Sequence, residues 1–196
     1  MKHPLLATLL CLSVLGATSS HAADKSPAAS TLTTIPALDV NRYMGTWFEI
    51  AKYPNWFQRK CTGGTRAHYS QQSDGTVQVI NRCQTEHQEM IEAIGTARQM
   101  GPASSPKLEV RFAPAWLSFL PFVWGDYWVI DLDEDYQLVA VSEPKKEYLW
   151  ILSRTAKVDP MRYQSLLTRL QQKGFDQHRL EITQQDVHAP RDEGAK

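Results

Sequence analysis

From residue 47 onward the chain alternates short runs of β-prone residues with turn signals. Runs over 47–53, 65–71, 76–82, 92–100, 108–112, 127–132, 137–142 and 149–154 predict eight strands. Pro54-Asn55, Ser73-Asp74-Gly75, Gly101-Pro102 and Asp133-Glu134-Asp135 break them apart. Leu108, Val110 and Phe112 alternate with Glu109 and Arg111, which predicts one face on a core and one in water. Eight consecutive strands joined by tight turns point to an all-β fold: an antiparallel up-and-down β-barrel, closed so that no edge is left raw. One helix is predicted after them. Asp159 suits the N-cap, Pro160 the first helical position and Gly174 the stop, with Phe175 just beyond. Leu166, Leu167 and Leu170 form a stripe that would pack on the outer barrel wall. Residues 180–183 read as a last short strand.

A barrel of this kind is a cup. Gly45 stands two residues before Trp47, and Arg154 closes the last strand. If first and last strands meet, the guanidinium stacks on the indole at the floor, a cation–π contact. Alternation then puts Trp150 and Leu152 inside with Arg154. Val110 and Phe112 face inward from the fifth strand, and Trp128 and Ile130 are the inward choices from the sixth. Glu49 falls on the inner side, so as a buried acid it needs partners. Tyr53 and Tyr69 are the candidates, and a ligand head group is the alternative.

The connections 54–64, 84–89, 113–125 and 143–147 fall at the rim. The loop 113–125 holds Trp116, Leu117, Phe119, Leu120, Phe122, Val123 and Trp124, more apolar surface than a solvated loop explains. It is expected to fold in as a lid or to touch a membrane peripherally. Trp56 and Phe57 add to the mouth, and Arg59, Lys60, Lys145 and Lys146 give a basic rim suited to an anionic head group. Ten methylenes buried in the cup would contribute on the order of 8 kcal/mol before association costs. That is enough for about micromolar binding. A barrel filled by its own side chains is the competing expectation.

The rest of the chain narrows the class. Lys2, the apolar stretch 5–17 and the small residues Ser20 and Ala22 read as a signal peptide over 1–22, with cleavage after Ala22. Leu10 stands before Cys11 where a lipobox needs a small residue, so a soluble periplasmic product is expected ahead of an outer-membrane lipoprotein. A flexible leader over 23–35, a domain over 36–186 and a disordered tail over 187–196 complete the division. Cys61 and Cys83 remain after processing and read as one disulfide. Lys plus Arg and Asp plus Glu both number 21, which gives no reason to expect nucleic acid. His68, His87, His178 and His188 lack metal-ligand spacing, and no Gly-x-Ser-x-Gly elbow occurs. No cofactor and no enzymatic activity are expected.

Three blocks resemble the lipocalin family. They are 41–51 with Gly45-Thr46-Trp47, 125–132 with Gly125-Asp126-Tyr127-Trp128, and 148–154 ending in Arg154. The likeness is nearest to the bacterial lipocalin (Blc) branch, which is similar to apolipoprotein D. The resemblance implies a calyx for small hydrophobic ligands, with fatty acids or lysophospholipids as ligands in the bacterial cell envelope and a role in membrane lipid maintenance. A monomer or weak homodimer is expected. Three other readings stay open on sequence alone: a lipid-modifying enzyme on the same barrel, an interaction module that docks through its aromatic mouth loop, and, more weakly because no His is clearly placed inside the cup, a haem carrier.

Overall fold

The structure is a computed structural model that describes residues 31–185. The signal peptide, most of the expected leader and the tail lie outside the described residues. Inside them the leader's last residues are not loose. Leu32 is buried among the side chains between barrel and helix, and the Ile35 amide donates to the Val129 carbonyl at 3.1 Å. The packed fold therefore begins a few residues before position 36.

A four-residue helix, α1 (Val40–Tyr43), is capped by the Asp39 carboxylate, which accepts from the amides of Asn41 and Arg42. It leads straight into β1 (Gly45–Lys52). There follow β2 (Gly63–Gln71), β3 (Val77–Gln84), β4 (Met90–Gln99), β5 (Lys107–Arg111), β6 (Gly125–Leu132), β7 (Leu138–Ser142) and β8 (Leu149–Ser153). Each pairs antiparallel with the next, and β1 pairs with both β2 and β8, so the sheet closes on itself. The helix α2 (Pro160–Gln172) and the two-residue β9 (Glu181–Ile182) come last, with β9 pairing to the upper end of β1.

Two apolar layers follow from this closure. The inner layer includes Trp47, Tyr69, Val79, Leu108, Val129, Val139, Val141 and Leu152. The outer layer holds Ala51, Tyr53, Ile130, Leu138, Ala140, Leu149 and Ile151 against Leu166 and Leu170 of α2. β7 is buried at every position because one face meets the barrel interior and the other meets the helix layer. The helix is held by its Asp159 cap, which accepts from the Arg162 amide at 2.9 Å, and ends at Gly174, whose φ of 85° suits a residue without a Cβ. Arg169 clamps Asp131 on β6 through two hydrogen bonds of 2.8 Å.

Bulges set the parity of two strands. β1 gains one residue against β8 between Glu49 and Ala51, and β6 gains one against β7 between Val129 and Asp131. An extra residue reverses the faces beyond it. On β1 it turns Ala51 and Tyr53 outward. On β6 it presents Asp131 to Arg169 and returns Leu132 to the inner layer.

Candidate ligand-binding site

The barrel encloses a cavity of about 780 Å³, within the range of about 300–1,000 Å³ usual for small-molecule sites. A second hollow of about 630 Å³ lies by α1 and is lined by Ala37, Asp39, Gln71 and Ser104 among others. The aromatic side chains belong to the first.

The closed end is built by α1 and the start of β1. Trp47 is fully buried and donates its indole N–H to the Tyr43 carbonyl at 2.9 Å. The Arg154 guanidinium carbon lies 4.0 Å from the Trp47 ring centroid. Its nitrogens donate to the carbonyls of Thr46 at 3.0 Å, Arg42 at 2.7 Å and Tyr136 at 3.3 Å. The cation thus ties α1, β1 and the β6–β7 turn together beneath the cup. Above the floor, Tyr43, Tyr69 and Tyr127 reach into the cavity and join hydroxyls, 2.7 Å from Tyr43 to Tyr127 and 3.0 Å from Tyr69 to Tyr127. Burial raises all three phenol pKa values, that of Tyr69 to about 12, so the phenols stay protonated in any physiological medium.

The wall is lined by Val79, Leu108, Val110 and Leu152, with Trp150 higher up and the exposed Phe112 at the rim just past the end of β5. Glu49 also lines it. Its carboxylate accepts from the Gln58 side-chain amide at 2.6 Å and the Thr183 hydroxyl at 2.6 Å, so its partners are not the tyrosines expected from sequence. Gln58 in turn accepts from the Trp150 indole at 3.0 Å and from the Asn55 amide at 2.7 Å. Burial raises the Glu49 pKa, and the bonds from Thr183 and Gln58 partly offset the rise. This chain of bonds fixes the first rim loop to the wall.

The rim is aromatic and of mixed charge. Phe57 packs on Tyr148 and Trp150 at centroid distances of 5.4 and 6.0 Å, with the exposed Trp56 on its edge. Arg66, Arg82 and Lys145 line the upper cavity, as do Glu92, Asp126, Glu143 and Glu147. Arg82 pairs with Glu92 at 2.6 Å. The expectation of a basic rim is therefore corrected. Lys146 turns away to donate to the Lys173 carbonyl at 2.7 Å, and Arg59 and Lys60 do not line the cavity. Cys61 and Cys83 form a disulfide with Cα atoms 5.5 Å apart, which ties the first rim loop to the end of β3.

Three expected pocket residues lie elsewhere. Trp128 and Ile130 face the helix layer, and Trp128 carries the Lys107 ammonium 4.1 Å over its ring. Their strand is apolar on both faces because both are covered, so hydrophobicity could not choose between them. Tyr53 also faces outward, turned by the β1 bulge. It donates its hydroxyl proton to the Asp176 carbonyl at 2.9 Å under the Arg179 guanidinium. The reading of Arg111 changes as well: it is buried beside Trp124 and donates to the Ala113 carbonyl. In the mouth loop, Val123 and Trp124 line the cavity, whereas Trp116, Phe119 and Phe122 stay outside it and are 72%, 75% and 79% exposed. Tyr43 and Tyr127 are site residues that the sequence reading does not reach. Strict alternation with Val129 would have found Tyr127, and Tyr43 ends α1 just before the Gly45-Thr46-Trp47 block.

Residues 38–185 match the lipocalin-like domain. The chain belongs to the lipocalin family. It is 40% identical over 159 residues to temperature-induced lipocalin-1 of Arabidopsis thaliana, covering 80% of this chain and 84% of the plant protein. It is 37% identical over 150 residues to the outer membrane lipoprotein Blc of Citrobacter freundii, covering 76% and 80%. Apolipoprotein D of Mus musculus is 30% identical over 154 residues, covering 75% and 77%. Among solved structures, apocrustacyanin C1 superposes with a TM-score of 0.61 at 15% identity, over 79% of this chain and 83% of its own. Family and cavity together support the binding of small hydrophobic ligands. Among the described residues of this lipocalin, no three His, Cys, Asp or Glu side chains are placed to hold a metal ion.

Proposed function

We propose that this lipocalin binds and carries single-chain amphiphiles, fatty acids or lysophospholipids, in the bacterial cell envelope and so supports the upkeep of membrane lipids. One observation carries the reading: a cavity of about 780 Å³ has an apolar wall in its middle and charges of both signs at its opening. An acyl tail gains about 0.8 kcal/mol for each methylene that leaves water. A head group left at the rim meets Arg66, Arg82 and Lys145 beside Glu92, Glu143 and Glu147. Three cations suit a phosphate or carboxylate, and the neighbouring carboxylates suit the ammonium of a zwitterion. That pairing favours a lysophospholipid over a bare fatty acid.

The exposed Trp116, Phe119 and Phe122 give this protein a means to rest on the bilayer that supplies its cargo. Export as a soluble periplasmic protein fits Leu10 in front of Cys11, where a lipobox needs a small residue. The test is displacement of a fluorescent fatty acid from delipidated protein by lysophosphatidylethanolamine and by hexadecanoic acid. Saturable displacement at micromolar or lower concentration, tighter for the lysolipid, is expected. Absence of displacement by either removes the proposal.

A further inference from the structure

The three tyrosines at the bottom of the cup hold more hydroxyl protons than they can use among themselves. Tyr43, Tyr69 and Tyr127 each carry one. Their only side-chain hydroxyl contacts among the described residues are with each other, Tyr43 to Tyr127 at 2.7 Å and Tyr69 to Tyr127 at 3.0 Å. Two bonds use two protons. Whichever way the bonds run, one phenol proton is left without an acceptor among the described residues. All three side chains border the cavity. Tyr43 and Tyr69 are 2% and 6% exposed and Tyr127 is half-buried, so whichever phenol keeps the spare proton can offer it to an occupant of the cavity.

We propose that this tyrosine cluster is an oxygen-recognition subsite at the closed end of the calyx, and that it selects ligands with a neutral oxygen acceptor at the buried end. A hydroxyl, ketone or epoxide oxygen is the chemical class. The inference rests on the carrier reading above and adds what the far end of the tail carries.

Neutral oxygen is favoured over a carboxylate on electrostatic grounds. The nearest cation acting on Tyr43 and Tyr69 is Arg154. Its donors are already directed at the carbonyls of Thr46, Arg42 and Tyr136. An anion taken to the floor would lose its water for one phenol proton, which does not compensate a buried charge. A neutral acceptor needs only that one bond. Leu38, Val40 and Met44 border the same end and offer no other polar side chain to compete for it. The phenols also remain donors at any physiological pH, so recognition does not switch off in mild alkali.

The test pairs dodecanoic, tetradecanoic and hexadecanoic acids with their ω-hydroxy derivatives, measured by calorimetry on delipidated protein. At an apolar floor, burying a hydroxyl without a partner weakens affinity by about tenfold or more. At this floor, the chain length that reaches the tyrosines is expected to show the reverse, with the ω-hydroxy acid equal to or tighter than its plain counterpart. The control is the triple substitution Tyr43→Phe, Tyr69→Phe and Tyr127→Phe. Any single phenylalanine still leaves a spare proton among the remaining hydroxyls, so all three must go. Because among the described residues the hydroxyls bond only to one another, the triple variant keeps shape and gives up no bond to another group there. In it, the ω-hydroxy acids are expected to bind about tenfold more weakly than the plain acids.

A second readout needs no variant. The tyrosine Raman bands that report phenol hydrogen bonding are expected to shift when the matching ω-hydroxy acid binds and to stay put with the plain acid. Weaker binding of every ω-hydroxy acid to the wild type, unchanged Raman bands, or a preference that survives the triple substitution overturns the subsite while leaving the carrier reading intact. Failure of both acid series to bind overturns both.

Discussion

The Arg154 guanidinium stands 4.0 Å from the Trp47 ring centroid and bonds three backbone carbonyls around it. One side chain at the end of the last strand thus holds the floor laid by the first. Arg154→Ala leaves those carbonyls without their charged donor and removes the cation–π contact. A loss of about 2–4 kcal/mol is expected in urea unfolding. Arg154→Lys should recover only a minor part, because a single ammonium cannot fan out to three carbonyls while lying flat on an indole.

The disulfide should matter for both stability and binding. Cys61 and Cys83 are 22 residues apart, and cross-linking a loop of that size is worth about 3 kcal/mol. Both cysteines line the cavity, and the first rim loop, anchored by Cys61, carries Trp56 and Phe57 to the mouth. Reduction, or the double substitution to Ser, is expected to lower the unfolding free energy by about that amount and to weaken lysolipid binding. Calorimetry with and without reductant checks both.

Glu49 gives the pH dependence a defined sign. Its native pKa is raised, chiefly by burial, above the value it has in the unfolded chain. Between the two values the native state holds a proton that the unfolded state has released, so this group makes stability rise as pH falls through that window. Above the raised native value the ionised, buried carboxylate is a fixed cost. The amide introduced by Glu49→Gln cannot titrate. The stability of the variant relative to the wild type should therefore increase as pH rises from the ordinary carboxylate range, then level off. Urea titrations across mildly acidic to neutral pH measure it. A relative stability that declines with rising pH contradicts this assignment.

The mouth loop separates membrane contact from ligand binding. Trp116, Phe119 and Phe122 are exposed and do not line the cavity. Replacing all three by Ser should cut partition to anionic vesicles several-fold, as flotation would show, while leaving the affinity for monomeric lysolipid within about twofold, since those side chains touch nothing inside.

Strand positions, the helix with its Asp159 cap and Gly174 stop, and the Trp47–Arg154 contact could all be read from periodicity and family blocks. Tyr53, Trp128 and Ile130 could not be placed. For Tyr53 the cause is the β1 bulge, which adds one residue with no signature in composition and reverses parity from that point on. For Trp128 and Ile130 the cause is the helix layer, which makes the outer face of β6 as apolar as its inner one. The Glu49 network escapes for another reason: Gln58 and Thr183 are far apart along the chain and meet only after the rim loop and β9 return to β1. The rim charges escape because Arg66 and Arg82 lie inside strands rather than in the loops that form the mouth.

The most direct measurement is native mass spectrometry of delipidated protein titrated with lysophosphatidylethanolamine, run beside Ala67→Trp, which fills the cavity from a small wall residue. A saturable one-to-one adduct in the wild type, weakened about tenfold or more in a variant that still melts cooperatively, is the result expected of an interior binding site. Equal adducts in both proteins, or none in either, would contradict the calyx as the place where the ligand sits.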